Sequence, residues 1–326
     1  MSPYFQNGRK DLSQKRLGLS ETIKLDTGRR NLCKASFFCL SGGIFPFLST
    51  STFASHKNYK KVISVGSSIT EIIFRLGASQ KLVGVDTTSN YPEQSQQVPK
   101  VGYLRTLSTE GILSLKPDLL LLSEEAGPPQ VLAQLKTIGL AQYSFPVVRS
   151  IEGVSLMINQ VGKILQVEAL AKELKNSLQK DWDACQVEKL AFIKHQFQKL
   201  GRPLKVVFIM SHIPGKVFVA GKNTAADAMI HLSGAKNPLK FEGYSPLSAE
   251  SLLLVNPDII LVSTQGLNTL GGQENLWKLA GMSLTNAAKK RALLSLEANY
   301  LLGFGPRLPS AIRDLQLGFL NKLSEI

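Results

Sequence analysis

The chain contains the stretch LSTEGILSLKPDLLLL at residues 107–122 and repeats it 140 positions later as LSAESLLLVNPDIILV at residues 247–262. Seven of the 16 aligned positions are identical, and most of the others exchange one apolar residue for another. In each copy a serine, Ser108 or Ser248, is placed to cap a short helix. A Pro-Asp turn then ends the helix, and an apolar run predicts a fully buried strand. The repeat predicts two α/β lobes of similar build that face each other across a ligand cleft.

Strands and helices are predicted to alternate in both halves of the chain, which indicates a central, mainly parallel sheet in each lobe. The first lobe, residues 58–148, opens with an apolar strand and continues into a helix after Gly66. The second lobe, residues 203–326, also opens with an apolar strand and continues into a helix that Thr224 caps. Loops at the carboxyl ends of these strands are expected to form the ligand site.

The segment between the lobes, residues 149–202, is predicted to be helical. Its residues 167–200 contain neither Gly nor Pro, and apolar residues recur at helical spacing from Val167 to Trp182. The pattern predicts one linker helix of about 30 residues, ~45 Å long at about 1.5 Å per residue. A single stiff helix between two lobes disfavours large hinge closure, because hinges are normally short flexible loops.

The 326-residue chain has the composition of a globular protein, with 44% hydrophobic and 19% charged residues, and its net charge is +14. A basic chain attracts anions, nucleic acid or anionic membranes. The sequence has no local run of Lys and Arg and no interleaved aromatic motif, so a nucleic-acid partner is not expected. It also lacks a nucleophile elbow, a His-Glu-x-x-His motif and a phosphate loop, so we do not expect an enzyme.

Residues 1–54 are predicted to be a signal peptide. The pair Arg29-Arg30 precedes an apolar stretch at residues 35–48 that is too short to span a membrane, and Ala54 ends a site suited to signal peptidase. The paired arginines favour export by the Tat route, with the Sec route as the alternative. Cleavage would place the mature chain in the periplasm with Cys185 as its one cysteine, which is expected to be a core or half-buried thiol.

Four short motifs carry a resemblance to a known family. They are VPKVGYLRTLS at residues 98–108, GPP at 127–129, AGKNTAADA at 220–228 and LGFGPR at 302–307. With these motifs the chain resembles the periplasmic substrate-binding proteins of ABC importers that have a single-helix linker, and among them the haemin-binding proteins. The resemblance covers nearly everything after residue 58 and implies a protein that binds haem b as a transported ligand. A ferric siderophore or cobalamin is the alternative ligand.

The resemblance gives Tyr103 the central role in ligand binding. Tyr103 precedes a capped helix, so it is expected on an exposed loop, and a tyrosinate oxygen suits ferric haem iron as axial ligand. A half-buried Tyr held through its hydroxyl is the alternative. Arg105 is expected to lower the pKa of that phenol or to bind a haem propionate, with a surface arginine that contacts no ligand as the alternative. Gly127 and Pro128 are expected to pack a rigid, apolar backbone against a porphyrin face, with a plain loop as the alternative.

The second lobe offers three further candidates for haem contact. His212 follows a strand and is expected either to ligate iron, of the same or of a second haem, or to be a hydrogen-bonded loop residue. Tyr244 lies one position from the repeat partner of Tyr103 and either lines the cleft or closes a turn. Gln265 stands where the resemblance implies an arginine, so this position is not expected to make a charged contact.

Two glutamates mark the expected docking surface. Glu110 and Glu250 are repeat partners in the first turns of the two capped helices, where a carboxylate also stabilises the helix dipole. The resemblance implies that they bind arginines of a membrane permease with two equivalent halves. The expected partners are therefore haem, the permease and its ATPase at the inner membrane, with the protein itself a monomer.

Overall fold

The computed structural model describes residues 57–213, 216–246 and 248–325. The predicted signal segment, residues 1–54, lies outside them. The chain from Ser55 to Ile326 forms one compact unit, in which two α/β lobes are joined by helices. In the described part of the chain, no helix combines the length and the apolar character needed to cross a bilayer.

The described strands of the first lobe form a wholly parallel sheet in the order β2-β1-β3-β4. They are β1 Val62–Val65, β2 Leu82–Val85, β3 Leu119–Ser123 and β4 Ala141–Phe145. The connecting helices are α1 Ser67–Arg75, α2 Thr109–Leu113 and α3 Pro129–Thr137. The central strands β1 and β3 are apolar and almost fully buried, as expected for a parallel sheet that is covered on both faces.

The lobes are connected by α4 Ile151–Leu165 and α5 Glu168–Leu200. Helix α5 has 33 residues and is therefore about 50 Å long, which confirms the predicted linker helix. Its most buried apolar side chains recur at every seventh position: Ala171, Leu178, Cys185 and Phe192. Cys185 is thus a core thiol, as predicted, and burial raises its pKa.

The described strands of the second lobe form a mixed sheet in the order β7-β6-β5-β8-β9. They are β5 Val206–Ile213, β6 Lys216–Ala220, β7 Tyr244–Pro246, β8 Ile259–Ser263 and β9 Leu293–Leu296. The helices are α6 Ala225–Leu232, α7 Ala249–Val255, α8 Thr264–Thr269, α9 Gln273–Trp277, α10 Asn286–Lys289, α11 Ala298–Leu302 and α12 Leu308–Ser324. Strands β5, β8 and β9 are parallel, whereas β6 is antiparallel to both of its neighbours. The connection from β5 to β6 is too short for a parallel crossover, which accounts for the antiparallel edge.

The repeated stretch caps a helix in both lobes. The hydroxyl of Ser108 accepts a hydrogen bond from the backbone N–H of Gly111 at the start of α2. The hydroxyl of Ser248 accepts one from Ser251 at the start of α7. Both predicted caps are therefore confirmed, and each satisfies a backbone donor that the first turn of a helix leaves open.

The aspartates of the two Pro-Asp turns tie neighbouring strands together. Asp118, just before β3, accepts hydrogen bonds at 2.8 and 3.0 Å from two backbone N–H groups just before β1. Asp258, just before β8, accepts one at 2.9 Å from the backbone N–H of Lys205, just before β5. Asp258 also forms a two-point ion pair with Arg202 at 2.7 and 2.9 Å. The repeat thus aligns the first strand of each lobe with the strand beside it.

Candidate ligand-binding cleft

A cleft of about 340 Å³ lies between the two lobes. One wall is formed where the four parallel strands of the first lobe end: residues 66–69 at β1, Thr88 and Tyr103 after β2, Ser123 and Glu125 at β3, and residues 145–149 at β4. The second lobe contributes Ala225, Ala298, Asn299 and residues 302–304. The carboxyl ends of parallel strands are where α/β proteins usually bind ligands.

Much of the cleft wall is apolar. The first lobe supplies Phe145, Pro146, Val147 and Val148, and the second supplies Leu302 and Phe304. A flat apolar ligand that entered between the lobes would bury its surface against these side chains.

Tyr103 lies on an irregular loop between β2 and α2, as predicted. Gly102 precedes it with a φ of 107°, a conformation that favours glycine, and the carbonyl of Tyr103 closes a turn by accepting from the N–H of Thr106 at 2.8 Å. The Tyr103 side chain is 43% exposed, and its hydroxyl forms no hydrogen bond with any described residue. The phenol is therefore available to a ligand in the cleft.

Arg105 lines the same part of the cleft but is already paired. Its guanidinium donates to Glu125 at 2.9 Å, and both side chains are about half exposed. The ion pair directs the Arg105 guanidinium toward Glu125. The predicted lowering of the pKa of the Tyr103 phenol by Arg105 stays a prediction. A guanidinium has five N–H donors, so Arg105 keeps donors for an anionic group of a ligand.

Gly127 and Pro128 are not among the residues that line the described cleft, and Gly127 supports the Tyr103 loop. The N–H of Gly127 donates to the carbonyl of Leu104 at 2.9 Å, and its carbonyl accepts from the N–H of Leu107 at 2.8 Å. Pro128 precedes the first residue of α3. The packing of these two residues against a porphyrin face stays a prediction, and the two hydrogen bonds of Gly127 hold the loop that carries Tyr103.

Tyr244 belongs to the second lobe and is not among the residues that line the described cleft, so its haem contact stays a prediction. Its side chain is 40% exposed, at the first residue of the edge strand β7. Burial of the phenol raises its pKa, and the carboxylate of Glu125 adds to this rise, whereas Arg149, Thr224 and Arg105 lower the pKa. Two of these groups, Glu125 and Arg105, line the cleft from the first lobe, and Arg149 lines it just after β4.

Gln265 is not among the residues that line the described cleft, and its haem contact stays a prediction; its side chain binds the start of α11. Its side-chain amide donates to Glu297 at 3.0 Å, and its carbonyl accepts from the N–H of Ala298 at 2.9 Å. Glu297 in turn caps α11 by accepting from the N–H groups of Asn299 and Tyr300.

His212 lies in β5, and its side chain falls outside what the structure describes, so its role in iron binding stays a prediction.

Arg149 and Asn299 line the cleft, and the sequence analysis did not identify them. Arg149 is exposed and forms no ion pair with any described residue. Its position just after β4 could have identified it, because residues that follow parallel strands meet at the carboxyl edge of the sheet, where ligands bind. Asn299 lies three residues before the LGFGPR motif, but its contact in the other lobe is 211 residues away in sequence.

Glu110 and Glu250 are exposed in the first turns of α2 and α7, outside the cleft wall. Each is followed three residues later by an exposed leucine, Leu113 or Leu253, which are 39% and 40% exposed. Residues three apart on a helix lie on the same face. The adjacent Leu254 is 86% exposed. Each lobe therefore presents a carboxylate beside apolar surface.

Comparisons with known proteins agree with this geometry. The model of the periplasmic binding protein family matches residues 62–300. The solved structure of the periplasmic haem-binding protein BhuT in complex with two haems is 38% identical, with a TM-score of 0.76, and the match covers 82% of this chain and 100% of that one. The uncharacterised ABC transporter substrate-binding lipoprotein YvrC of Bacillus subtilis is 30% identical over 262 residues, 79% of each chain. The vitamin B12-binding protein of Vibrio cholerae is 23% identical over 275 residues, 83% of this chain and 93% of the relative.

Proposed function

The chain belongs to the periplasmic binding protein family, and from this premise we propose that it binds haem in the cleft between its lobes and delivers it to an ABC importer. The family is one of substrate-binding proteins and not of enzymes. One observation carries the proposal: the cleft combines an apolar wall, a free phenol and two guanidinium groups. The 38% identity with the haem-binding protein BhuT supports haem as the ligand.

Tyr103 would supply the axial oxygen of the haem iron. A phenolate is a hard anionic donor, which suits ferric iron. The Tyr103 hydroxyl makes no hydrogen bond with a described residue, so it would lose none on binding the iron. Tyr244 is less suited to this role, because burial raises the pKa of its phenol and so disfavours the phenolate. A neutral phenol donates a hydrogen bond, and Tyr244 would therefore contact the haem edge from the second lobe.

The propionates of haem would be bound by Arg149 and Arg105. A guanidinium binds a carboxylate through two parallel hydrogen bonds, which fixes the orientation of the ligand as well as adding affinity. Arg149 forms no ion pair with a described residue, so it can bind a propionate without breaking an existing contact. Arg105 would have to share its guanidinium with Glu125, which costs little because exposed ion pairs are weak.

The remaining candidates would support the site indirectly. Gly127 holds the loop of Tyr103, and Gln265 binds the start of α11, which carries Asn299 into the cleft. Gly127 and Pro128 are also retained as candidates for packing against the porphyrin face. His212 is retained as a candidate iron ligand of the second lobe, for the same or for a second haem.

Docking on the permease would use Glu110 and Glu250. The two carboxylates occupy equivalent places in the repeat, which fits a permease with two equivalent halves, each offering an arginine. The exposed leucines beside them would add apolar contact at the same surface. The similarity to an ABC transporter substrate-binding lipoprotein supports a partner of this kind.

We further propose that the protein acts as a monomer in the periplasm after cleavage near Ala54, carries haem b, and serves a permease driven by its ATPase.

Cobalamin is the competing ligand, because vitamin B12-binding proteins are among the relatives. Titration of the purified protein with haemin and, separately, with cyanocobalamin distinguishes the two by absorption spectroscopy. We expect haemin to give a saturable Soret change with the charge-transfer bands of a tyrosinate-bound ferric haem, and cyanocobalamin to give no saturable change. Saturable binding of cyanocobalamin without a response to haemin would replace haem by cobalamin as the ligand.

A further inference from the structure

The LGFGPR motif at residues 302–307 ends in a side chain that joins the two lobes. Arg307, just before α12 in the second lobe, donates from Nε to Glu71 Oε2 at 3.0 Å, and Glu71 lies on α1 in the first lobe. The guanidinium also lies over the rings of Tyr91 and Tyr300, 3.5 and 5.0 Å from their centres. The side chains of Arg307 and Glu71 are only 18% and 5% exposed. These contacts hold the guanidinium in one position.

The shape of the motif explains how Arg307 reaches the other lobe. Phe304 is buried with a φ of 47°, which is rare for a residue other than glycine, asparagine or aspartate. A Cβ at Gly303 would lie 2.2 Å from the carbonyl oxygen of Asn299, so this position requires glycine. A Cβ at Gly305 would lie 3.3 Å from the carboxylate of Glu71. The turn therefore brings the backbone of the second lobe directly against the carboxylate on α1.

The ion pair lies beside the ligand cleft. A chamber of about 10 Å³ next to the pair shares Ser67, Ser68, Asn299 and Gly303 with the cleft wall. Asn299 makes a second contact between the lobes, because its side-chain amide donates to the carbonyl of Thr88 at 2.7 Å. The same residues therefore line the cleft and the small cavity beside the ion pair. A change in the separation of the lobes at Glu71 would move these residues and so alter the cleft.

The Glu71–Arg307 pair is poorly explained as a stabilising contact. Burial raises the pKa of Glu71 in spite of the attraction of Arg307 and Arg75. In the described part of the chain, the other oxygen of this carboxylate, Oε1, is buried without a hydrogen-bond partner. The folded protein thus binds this proton more tightly than the unfolded chain, and folding stability falls as the pH rises through the raised pKa. Buried ion pairs that do not add stability can still specify one geometry.

We propose that the Glu71–Arg307 pair is a positioning device that fixes the separation of the two lobes and so holds the cleft at the width that retains haem. Helix α5 joins the lobes through the chain itself, and the pair adds a second tie beside the cleft. The inference rests on the proposed function for the identity of the ligand. The separation of the lobes, however, is measurable in the ligand-free protein.

The first test measures the distance between the lobes by double electron–electron resonance. Nitroxide labels at Thr137→Cys and Lys278→Cys, both exposed and in opposite lobes, report the separation, and the native Cys185 is buried. We expect Glu71→Gln to broaden the distance distribution of the ligand-free protein. Arg307→Lys, which keeps the charge but loses the planar guanidinium, should broaden it less. Distributions unchanged in both variants would overturn the proposal, whether or not the protein binds haem.

A matched control comes from a second Arg–Glu pair of similar geometry. Arg313 Nε donates to Glu188 Oε2 at 2.7 Å, but this pair joins α12 to the linker helix and is more exposed. Glu188→Gln should leave the distance distribution unchanged. Broadening of the same size in Glu188→Gln would mean that any loss of an ion pair on α12 loosens the lobes, and would remove the special role of Glu71.

The second test measures the rate of haem transfer to an excess of apomyoglobin. Glu71→Gln should release haem roughly tenfold faster than the unaltered protein, a coupling of ordinary size between two sites. The absorption bands of bound haem should stay unchanged, because the iron ligand is not altered. Broadened lobe distances with an unchanged release rate would sink the part of the proposal that links lobe separation to haem retention.

Discussion

Tyr103 is the residue on which the proposed haem binding depends most directly. Tyr103→Phe keeps the ring and deletes only the oxygen, so haem should still enter the apolar cleft without its anionic iron ligand. We expect loss of the charge-transfer bands and haem release at least about tenfold faster, or about 1.4 kcal/mol. Tyr143→Phe is a matched control, because Tyr143 is also 43% exposed but does not line the cleft. An unchanged spectrum and release rate in Tyr103→Phe would move the axial role to His212.

The two cleft arginines differ in how free they are to bind a propionate. Arg149 has no ion-pair partner among the described residues, whereas Arg105 is paired with Glu125 at 2.9 Å. We therefore expect Arg149→Ala to weaken haem affinity by about tenfold and Arg105→Ala by a few-fold, because a hydrogen bond typically contributes about 0.5–1.5 kcal/mol and about 1.4 kcal/mol is tenfold. Haemin titration at low and high salt checks both values, since the loss should shrink as salt screens the charges. A larger loss in Arg105→Ala would reverse the assignment.

At the residue scale, the sequence predicts what depends on near neighbours. The caps Ser108 and Ser248 and the exposed loop of Tyr103 follow from positions a few residues apart. The pairing of Arg105 with Glu125 and of Gln265 with Glu297 does not, because the partners are 20 and 32 residues away. These pairs depend on how the loops after different strands meet at the edge of each sheet, which a local sequence pattern does not determine.

At the element scale, the two Pro-Asp turns should differ in their importance for stability. Asp258 is buried and paired with Arg202, whereas the hydrogen bonds of Asp118 are exposed. Arg202 is 38% exposed, so Asp258→Ala leaves no buried charge, and it should lower the free energy of unfolding by about 1.5–3 kcal/mol, the range for hydrogen bonds to a charged group. Asp118→Ala should cost about 0.5–1.5 kcal/mol, the net value of an ordinary hydrogen bond. Urea unfolding of the two variants measures the difference, and equal losses would contradict this account of the repeat.

The elements that the sequence misses are those with weak patterns. Strands β1, β3, β5 and β8 are apolar and buried, and the repeat marks their positions. Strand β4 reads AQYSF, and most of it is partly or fully exposed because it lies at the edge of the sheet. Overlooking β4 also hides Arg149, which follows it. The antiparallel strands β6 and β7 depend on a short connection, not on a repeated pattern, so the repeat does not predict them.

At the scale of the whole molecule, the linker helix was predictable and the contacts between the lobes were not. Helix α5 is a continuous local pattern without Gly or Pro. The contacts from Arg307 to Glu71 and from Asn299 to Thr88 join residues 236 and 211 positions apart. Such pairs form only when the two lobes come together. The LGFGPR motif contains Arg307 but gives no indication of its partner Glu71. The covalent connection is thus readable from the sequence, whereas the cleft geometry is a property of the assembled lobes.

The two docking carboxylates offer a test of delivery that leaves ligand binding intact. Glu110→Lys and Glu250→Lys place a positive charge where an arginine of the permease is proposed to bind, and like charges at an interface oppose association. Haemin affinity should stay unchanged, because neither residue lines the cleft. Haem uptake by the reconstituted importer should fall several-fold in each variant and more than about tenfold in the double variant, since each lobe would contact one half of the permease. Glu173→Lys, on the exposed face of α5, makes the same charge change away from the docking surface and should transport normally. Normal uptake by the double variant would show that delivery does not depend on these two carboxylates, and the exposed Leu254 would then be the next residue to replace.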